Sequence, residues 1–351
     1  MTQPFDPVNL RTTGEALALA QPVGLAEGWH SRFSVSANGV LVHSAGNRPY
    51  QEVAWFDRRG GRIGTIGSSS LHFSILPSPD ERRVAVRQNS EWPNPEIDVW
   101  LTSLSDGSSS RFTFNRIPPA GAPVWSPAGD RIIFSSNRPG QNEIYEKAIT
   151  SPQEEKLLLK GAGIIESTDW SRDGHFLMYQ QYDPKTRWDL WLLRLGGVRT
   201  PPPFLQTDSD EQRATFSPDG RWFSYQSNES GKDEIYVKPF SPASPGAGGR
   251  WQISSSGGIE PRWRRDGKEL FYIAPDRKLM SVAVKTGDNF EAGTPQALFP
   301  TQLSTVGEAA NSRYAPIGDG HRFLMIIDHQ PQSSTPATVV LNWQAALRAN
   351  R

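Results

Sequence analysis

The stretch Phe216-Ser217-Pro218-Asp219-Gly220, followed directly by Arg221-Trp222-Phe223-Ser224-Tyr225, joins a tight turn to a strand. Proline presets φ, the aspartate side chain bonds the backbone two residues on, and glycine accepts a positive φ, so this order of residues favours a turn. The aromatic residues that follow are typical of a strand. Related stretches begin at Trp125, Trp170 and Trp263, and weaker copies begin at Ser36, Ser78 and Ile317.

The seven copies recur at a nearly constant spacing. Their anchor residues are Ser36, Ser78, Ser126, Ser171, Ser217, Arg264 and Ile317. The steps between these anchors are 42, 48, 45, 46, 47 and 53 residues. A period of this length, with several short strands in each unit, indicates an all-β fold, namely a β-propeller of four-stranded blades.

Seven copies predict seven blades, with six as the alternative if the first or last copy forms no full blade. The expected blades cover residues 30–70, 71–115, 116–162, 163–208, 209–256, 257–304 and 305–345 of a single domain, residues 1–351. Strands near Arg313–Pro316, His321–Ile327 and Thr338–Trp343 are expected in the last blade. Residues 1–24 are expected to supply its outer strand, because Gly14–Leu19 is similar to Gly293–Leu298 at the outer edge of the sixth blade. Such a strand closes the ring and leaves no open sheet edge.

The composition excludes several classes of protein. The 37 Lys and Arg residues balance 37 Asp and Glu residues, so no overall field favours nucleic acid or an anionic membrane. The chain has no Cys, which excludes disulfides, thiolate catalysis and Cys-based metal sites. The longest apolar runs are about five residues, far short of the roughly 20 that a membrane helix needs. Met1–Asp6 lacks the basic start and apolar run of a signal peptide, so the sequence does not indicate the compartment.

Catalytic motifs are also missing from the sequence. It contains no G-x-S-x-G nucleophile elbow, no P-loop and no kinase catalytic loop. No two of its six histidines are four residues apart, which is the spacing of a helical zinc site. We therefore expect no catalytic residue, no cofactor and no metal site, and a chain that is not an enzyme by itself.

Three glutamates, Glu166, Glu211 and Glu260, come three to five residues before the aromatic residue of a repeat. The inner strands of a propeller begin at one mouth of its central channel, so we predict that these acids lie there. Converging carboxylates could hold a cation or the basic end of a peptide. The alternative is that each acid bonds backbone groups of the neighbouring blade, because the three offsets differ and the other blades lack the acid.

A run of basic residues crosses the turn of the sixth repeat: Arg262, Arg264, Arg265 and Lys268. Because the whole chain is neutral, this run is more consistent with a solvated rim than with a nucleic-acid patch.

On these residues the chain resembles the TolB-type, WD40-like (PD40) propellers. Their repeat joins a W-S-P-D-G turn to a strand that begins with an acid, Ile and Tyr, here Phe216–Gly220 and Glu234-Ile235-Tyr236. More narrowly, it resembles the propeller that is C-terminal to bacterial transmembrane serine/threonine protein kinases. That likeness rests on Phe33–Leu41, Trp55–Gly60, Phe216–Tyr225, Asn228–Gly231, Gly257–Tyr272 and Thr338–Trp343.

The resemblance implies a non-catalytic sensor or scaffold that binds a protein or peptide. As part of a membrane kinase, such a propeller lies outside the cytoplasmic membrane, in the periplasm or beyond. This sequence has neither a kinase domain nor a membrane helix, and the likeness of Phe5-Asp6-Pro7 to the middle of a longer family pattern favours a fragment. No catalytic residue is carried over. We expect a monomer that binds a protein or peptide, or a small ligand or cation at the channel mouth, and no nucleic acid.

Two other functions stay open. The first is an accessory propeller that gates substrate entry to a peptidase, as in prolyl-oligopeptidase-like and tricorn-like enzymes, with the nucleophile supplied by a partner subunit. The second is a propeller enzyme, such as a lactonase or lyase, that uses a metal in the channel. This enzyme would need His, Asn and carboxylate ligands at the mouth, and the sequence offers acids without matching histidines.

Overall fold

The computed structural model describes residues 3, 5–15, 33–36, 38–44, 51–89, 97–114, 122–136, 142–150, 154–161, 163–197, 203–245, 247–304, 312–328 and 337–343. The chain divides into two compact units. Gln51–Asp328 forms the propeller unit, and Met1–Tyr50 together with His329–Arg351 forms the terminal unit. Within the described residues, no helix combines the length and the apolar character needed to span a bilayer.

The terminal unit contains a short hairpin and a three-stranded sheet. The hairpin pairs β1 (Phe5–Asp6) with β2 (Arg11–Thr12). In the sheet, β4 (Val40–Ser44) lies between β3 (Phe33–Val35) and β30 (Ala337–Leu341), and both pairings are antiparallel. The segment Thr338–Trp343 was expected in the last blade, but β30 pairs with β4 instead.

The propeller unit forms six antiparallel sheets of at least four strands within its described residues. Sheet one consists of β7 (His72–Pro77), β8 (Arg83–Asn89), β9 (Ile97–Ser103) and β10 (Ser109–Arg111). Sheet two consists of β11 (Val124–Trp125), β12 (Arg131–Ser136), β13 (Glu143–Ala148) and β14 (Glu155–Lys160). Sheet three consists of β15 (Ile165–Trp170), β16 (Phe176–Asp183), β17 (Arg187–Arg194) and β18 (Pro203–Leu205).

Sheet four consists of β19 (Glu211–Phe216), β20 (Trp222–Ser227), β21 (Glu234–Pro239) and β22 (Trp251–Gln252). Sheet five consists of β23 (Ile259–Trp263), β24 (Glu269–Ile273), β25 (Lys278–Thr286), β26 (Phe290–Ala292) and β27 (Gln296–Pro300), and both β26 and β27 pair with β25. Sheet six has the order β28 (Tyr314–Ile317), β29 (Arg322–Asp328), β5 (Gln51–Asp57) and β6 (Arg62–Ser70). The expected spans 71–115 to 257–304 each contain one of the first five sheets.

Hydrogen bonds connect the inner strand of each sheet, or the residue just before it, to that of the next sheet. In order from sheet one, the links are Trp125 Nε1 to Leu76 O (2.9 Å), Ser167 Oγ to Ala122 O (2.9 Å), Phe216 N to Asp169 Oδ2 (2.8 Å), Trp263 Nε1 to Thr215 O (3.1 Å), Tyr314 Oη to Glu260 O (2.8 Å) and Ser312 Oγ to Ile75 O (2.7 Å). The last link returns to sheet one, so the six sheets follow one another in a closed cycle. The propeller fold expected from the repeats is therefore confirmed, and the described cycle contains six sheets.

The hydrophobic core is divided among the contacts between neighbouring sheets. Six clusters of buried apolar residues are present in the described structure, and each is formed by two consecutive sheets. Each sheet is therefore covered on both faces, which explains why β20 is buried at all of its positions instead of alternating. The aromatic residues of the repeats, such as Trp170 and Phe216, pack in these clusters.

Sheet six joins the two ends of the propeller unit. β29 pairs with β5 from Arg322 opposite Asp57 to Asp328 opposite Gln51. An earlier part of the chain, residues 51–70, thus completes the last sheet within the described structure. Most of the expected outer strand, Gly14–Leu19, lies outside the described residues, so its role stays a prediction. β5 fits this place in sheet six because it is apolar on both faces. Val53 packs toward sheet one, and Ala54 and Phe56 pack toward sheet five. A strand between two neighbouring blades needs apolar side chains on both faces.

Candidate functional site

The repeated turns share one hydrogen-bond pattern. Ser217 Oγ donates to Asp219 Oδ1 (2.6 Å) and accepts the N–H of Trp222 (2.9 Å). Gly220 closes the turn at a φ of +70°, a region that residues with a Cβ avoid. The same serine Oγ accepts an N–H five residues later at Ser78, Ser126 and Ser171. These bonds fix the position of the residues at the end of each inner strand.

The ends of the six inner strands surround a cavity of about 350 Å³, here named the central depression. Leu76, Trp125, Thr168, Thr215, Trp263 and Ala315 line it, one from each sheet. Its volume is at the lower end of the range of about 300–1,000 Å³ that is typical of ligand sites. It has room for a small molecule or for a few side chains of a partner.

Charged side chains of both signs line the central depression. Arg172, Arg262 and Arg265 face two acids, Glu81 and Asp169. Asp169 is held by its own sheet and the next, because its carboxylate accepts the N–H groups of Trp170 and Phe216, both at 2.8 Å. Arg262 is buried, whereas Arg172 and Arg265 are exposed. Exposed guanidinium groups at such a site favour carboxylates of a partner, since they present several donors in a planar fork.

Glu81 occupies the turn position that glycine fills in the repeats at Gly129, Gly174, Gly220 and Gly267. Its φ is +54°, which costs a residue with a Cβ about 1–2 kcal/mol. Its Oε1 accepts the N–H of Gly318 in the turn of sheet six (2.8 Å) and lies 3.7 Å from Nη1 of Arg265. Glu81 was not predicted as a site residue, although its signal was visible in the sequence as an acid in place of the turn glycine.

At the other end of the inner strands, a buried ion network contains Glu260, Arg313 and Arg213. Glu260 is fully buried, and its Oε1 lies 2.7 Å from both Nε and Nη2 of Arg313. Arg313 N–H donates to Glu260 Oε2 (3.0 Å), and Nη1 of Arg213 lies 3.7 Å from Oε1. Burial alone would raise the pKa of the Glu260 carboxyl, but the charges of Arg313 and Arg213 outweigh that effect and hold the pKa below its usual value.

The backbone is unusual at two members of this network. Arg213 and Glu260 have φ values of +55° and +56°, and each lies where the register of its inner strand shifts. A backbone of this kind persists only when its surroundings hold it, and bulges of this kind redirect side chains. Here they direct charged side chains into the interior of the ring, where Arg213, Glu260 and Arg313 are each buried.

The other two predicted acids have separate partners. Glu166 accepts a hydrogen bond from Gln180 Nε2 (2.9 Å). Glu211 is buried and accepts bonds from Thr207 through the hydroxyl (2.5 Å) and the N–H (3.3 Å). Burial raises the pKa of Glu211 to about 7, against the opposing effect of the bonds from Thr207.

Glu166, Glu211 and Glu260 therefore lie at the beginnings of β15, β19 and β23, whereas the central depression lies at the ends of these strands. Glu260 is neutralised by arginines and Glu211 caps the turn before its own strand. Binding of a cation or peptide by these acids stays a prediction. Among the described residues, no group of three or more His, Asp or Glu side chains is placed to hold a metal ion.

The basic run of the sixth repeat divides between two environments. Arg262 and Arg265 line the central depression. Arg264 instead pairs with Glu269 and Asp266, both with nitrogen–oxygen distances of 2.6 Å. The whole run was expected on a solvated rim, and the sequence did not reveal that Arg265 meets Glu81, because that contact joins two distant repeats.

Comparison with known proteins agrees with this architecture. A protein assigned as TolB in Agrobacterium tumefaciens superimposes with a TM-score of 0.59 at 17% identity, over 80% of this chain and 99% of the other. An oligogalacturonate lyase of Vibrio parahaemolyticus superimposes with a TM-score of 0.51 at 11% identity, over 89% of this chain and 97% of the lyase. The fold of this chain is thus a β-propeller similar to that of TolB, and solved propellers of similar architecture also include an enzyme.

In sequence, the chain is 27% identical to tricorn protease homolog 1 of Streptomyces coelicolor over 112 residues. This match covers 31% of the chain and 10% of that protein, so the chain spans about a tenth of the length of this curated relative. No family model matches the chain.

Proposed function

We propose that this chain is a non-catalytic binding module that takes up a segment of a protein partner at the central depression. The observation that carries the proposal is the convergence of all six inner strands on one cavity whose exposed charges are Arg172 and Arg265. Loops and turns that a rigid scaffold positions in this way are common binding surfaces. TolB-like propellers also supply the precedent for a binding role without catalysis.

The finer role is a sensor propeller of a bacterial serine/threonine kinase, located outside the cytoplasmic membrane. This part of the proposal rests on the likeness of Phe33–Leu41 and Gly257–Tyr272 to the kinase-associated propellers. It predicts that a kinase or another envelope protein is the partner.

The test is a pull-down with three versions of the chain as bait, against lysate and membrane extract of the source organism, with mass spectrometry as the readout. The variant Arg172→Gln/Arg265→Gln removes the exposed cations of the central depression. The control Arg221→Gln/Lys285→Gln removes two exposed cations that pair with Asp288 and Glu291 elsewhere.

We expect a partner that the wild type and the control recover equally and that the depression variant recovers at least tenfold less. Tenfold corresponds to about 1.4 kcal/mol, close to the lower value for one hydrogen bond to a charged group. Equal recovery by all three baits, or no partner on any bait, contradicts the proposal. Identification of the partner decides the kinase role separately.

The second candidate is an accessory propeller of a peptidase, and the match to tricorn protease homolog 1 favours it. Passage of a substrate through the ring would require the buried Arg213, Glu260 and Arg313 to move apart, so this candidate fits docking of a peptidase better than transport through the channel. Its test is hydrolysis of fluorogenic peptides by the material recovered on the wild-type bait. Activity that co-purifies with the chain supports it, and a partner without hydrolase activity contradicts it.

A further inference from the structure

A second and larger cavity, of about 1,290 Å³, lies beside the central depression. Sheets one, two and six form it, and it is here named the rim groove. Arg82, Arg83, Arg111, Arg322, Trp55 and Phe114 line the rim groove, and Glu81 is the residue that it shares with the central depression. Its volume exceeds the usual range of small-ligand sites, about 300–1,000 Å³, and therefore suits an extended chain.

The rim groove is strongly cationic although the chain as a whole is neutral. Four arginines line it against one acid, Glu81. Arg111 is paired with the buried Asp98. Within the part of the chain that the structure describes, neither Arg83 nor Arg322 has a carboxylate within 4.0 Å, and both are exposed.

An arginine at the same repeat position outside the rim groove does have a carboxylate partner. Arg131 occupies the position in sheet two that corresponds to Arg83 and Arg322, namely the second residue after the turn glycine or its replacement. Arg131 has Glu146 within 3.5 Å of its guanidinium. The same repeat position thus carries a neutralised arginine in sheet two and two unneutralised arginines at the rim groove.

Two aromatic rings hold the guanidinium groups in the rim groove. Arg322 lies over the ring of Trp55, 5.1 Å from its centroid, and Arg111 lies over Phe114 at 5.3 Å. Stacking on a ring fixes the plane of a guanidinium and leaves the N–H groups at its edge available for carboxylates. Phe114 is 60% exposed, so the rim groove also offers an apolar surface.

The rim groove also contains an edge strand. β10 is the outermost strand of sheet one and pairs with β9 alone among the described strands. Ser109, Ser110 and Arg111 of β10 line the groove. An exposed edge of this kind accepts an extended peptide as an added strand, with main-chain hydrogen bonds for affinity and side-chain contacts for specificity.

We propose that the rim groove binds an extended acidic peptide segment, with carboxylates of the segment paired to Arg83 and Arg322. The charge of the groove selects the sign of the ligand. The volume of the groove and its edge strand select an extended backbone, and the stacked arginines select carboxylates. This site shares Glu81 with the central depression but does not depend on the function proposed for that depression.

The test measures the fluorescence anisotropy of a fluorescein-labelled deca-glutamate, with deca-glutamine as the neutral control peptide. The chain is used as wild type, as Arg83→Gln/Arg322→Gln and as the control Arg221→Gln/Lys285→Gln, which has the same net charge as the groove variant. We expect saturable binding of deca-glutamate that weakens with added salt, a loss of at least tenfold in the groove variant and a change below twofold in the control.

Four results would overturn the proposal: no saturable binding of deca-glutamate, equal binding of deca-glutamine, equal losses in both double variants, or tighter binding of an oligogalacturonate with the same number of carboxylates. The last result would assign the groove to an acidic polysaccharide. Circular dichroism confirms the fold of each variant. The variant Arg172→Gln/Arg265→Gln should weaken deca-glutamate binding less than Arg83→Gln/Arg322→Gln does, and this comparison keeps the outcomes for the rim groove and the central depression apart.

Discussion

Replacement of Glu260 by glutamine tests whether the buried ion network stabilises the ring. The carboxylate of Glu260 neutralises Arg313 at 2.7 Å and lies 3.7 Å from Arg213, and all three residues are buried. Glutamine keeps the size of the side chain and one accepting oxygen but removes the charge, so two buried guanidinium groups lose their shared negative partner. The unfavourable φ of +56° is unchanged in this variant, so the effect reports the charge alone.

The expected loss is about 3–5 kcal/mol in the free energy of unfolding, the usual cost when one partner of a buried ion pair is removed. The magnitude follows from burial, because the remaining charges cannot be solvated without opening of the inner strands. For a unit of this size, such a loss lowers the melting temperature on the order of 10 °C. Glu291→Gln is the matched control, since the ion pair of Glu291 with Lys285 has a similar distance of 2.7 Å but is exposed. We expect that control to lose less than about 1 kcal/mol.

The assay is urea unfolding followed by tryptophan fluorescence at pH 7, with equal slopes required for the comparison. The double variant Glu260→Gln/Arg313→Gln should lose less than the sum of its single variants, because the second substitution removes one of the unpaired charges. A loss below about 1 kcal/mol for Glu260→Gln, with the fold intact, would refute the reasoning about charge burial.

Three further predictions concern single positions. The pKa of Glu211 is raised to about 7 from an ordinary 4.5. The protonated carboxyl therefore stabilises the fold fully below about pH 4.5, and this contribution of up to roughly 3 kcal/mol is lost as the pH rises through about 7. Urea unfolding should show Glu211→Gln to be more stable than the wild type at pH 8, and a stability difference between the two proteins that does not vary from pH 5 to 8 would count against the raised pKa. Both Glu81→Ala and Glu81→Gly keep the positive φ, but only glycine adopts it without strain. Thermal melting should therefore show the glycine variant to be more stable than the alanine variant by about 1 kcal/mol. Equal melting temperatures would mean that the turn is not strained. Gly60 has a φ of +84°, and an added Cβ would lie 2.7 Å from the side chain of Phe299, so Gly60→Ala should lower the free energy of unfolding by about 2 kcal/mol or more. Gly64→Ala is the control, because its Cβ would meet no atom within 4 Å. Similar stabilities of the two variants would argue against close packing at Gly60.

Local chemistry made the repeats predictable. The Ser-Pro-Asp-Gly turns depend on hydrogen bonds between residues within five positions, such as Ser217 with Asp219 and Trp222. The aromatic residue before the turn is buried in the repeats that contain Trp170 and Phe216. Patterns of this range are complete within a single repeat, so they can be recognised without knowledge of the ring.

The closing strands were harder to predict for a physical reason. Gly14–Leu19 resembles an outer strand in its residues, but such likeness does not test whether a strand can pack against two neighbours. β5 meets that requirement with Val53 on one side and Ala54 and Phe56 on the other. The two copies expected as the first and last blades therefore contribute strands to one sheet, and the remaining strands of these copies form a different sheet in the terminal unit.

The candidate sites were predicted only in part. The acids at the inner strands were recognised as unusual, yet their pairing with Arg313 or Thr207 could not be seen from spacing alone. The arginines of the rim groove were not recognised at all, because exposed arginines after a turn are ordinary unless their partners are known. Among the described residues, the lack of a carboxylate within 4.0 Å of Arg83 and Arg322 is a property of three sheets together.

The sequence by itself determined the turns, the strands that follow them and the repeat that makes this chain a β-propeller, because these features depend on residues close together in the chain. The tertiary structure decided which strands complete the sixth sheet and which charges gather at the central depression and the rim groove. These outcomes depend on contacts made by ring closure, such as the bond between Glu81 and Gly318 across 237 positions of sequence. Such contacts form only when the first and last parts of the propeller unit meet, and no local pattern encodes that meeting.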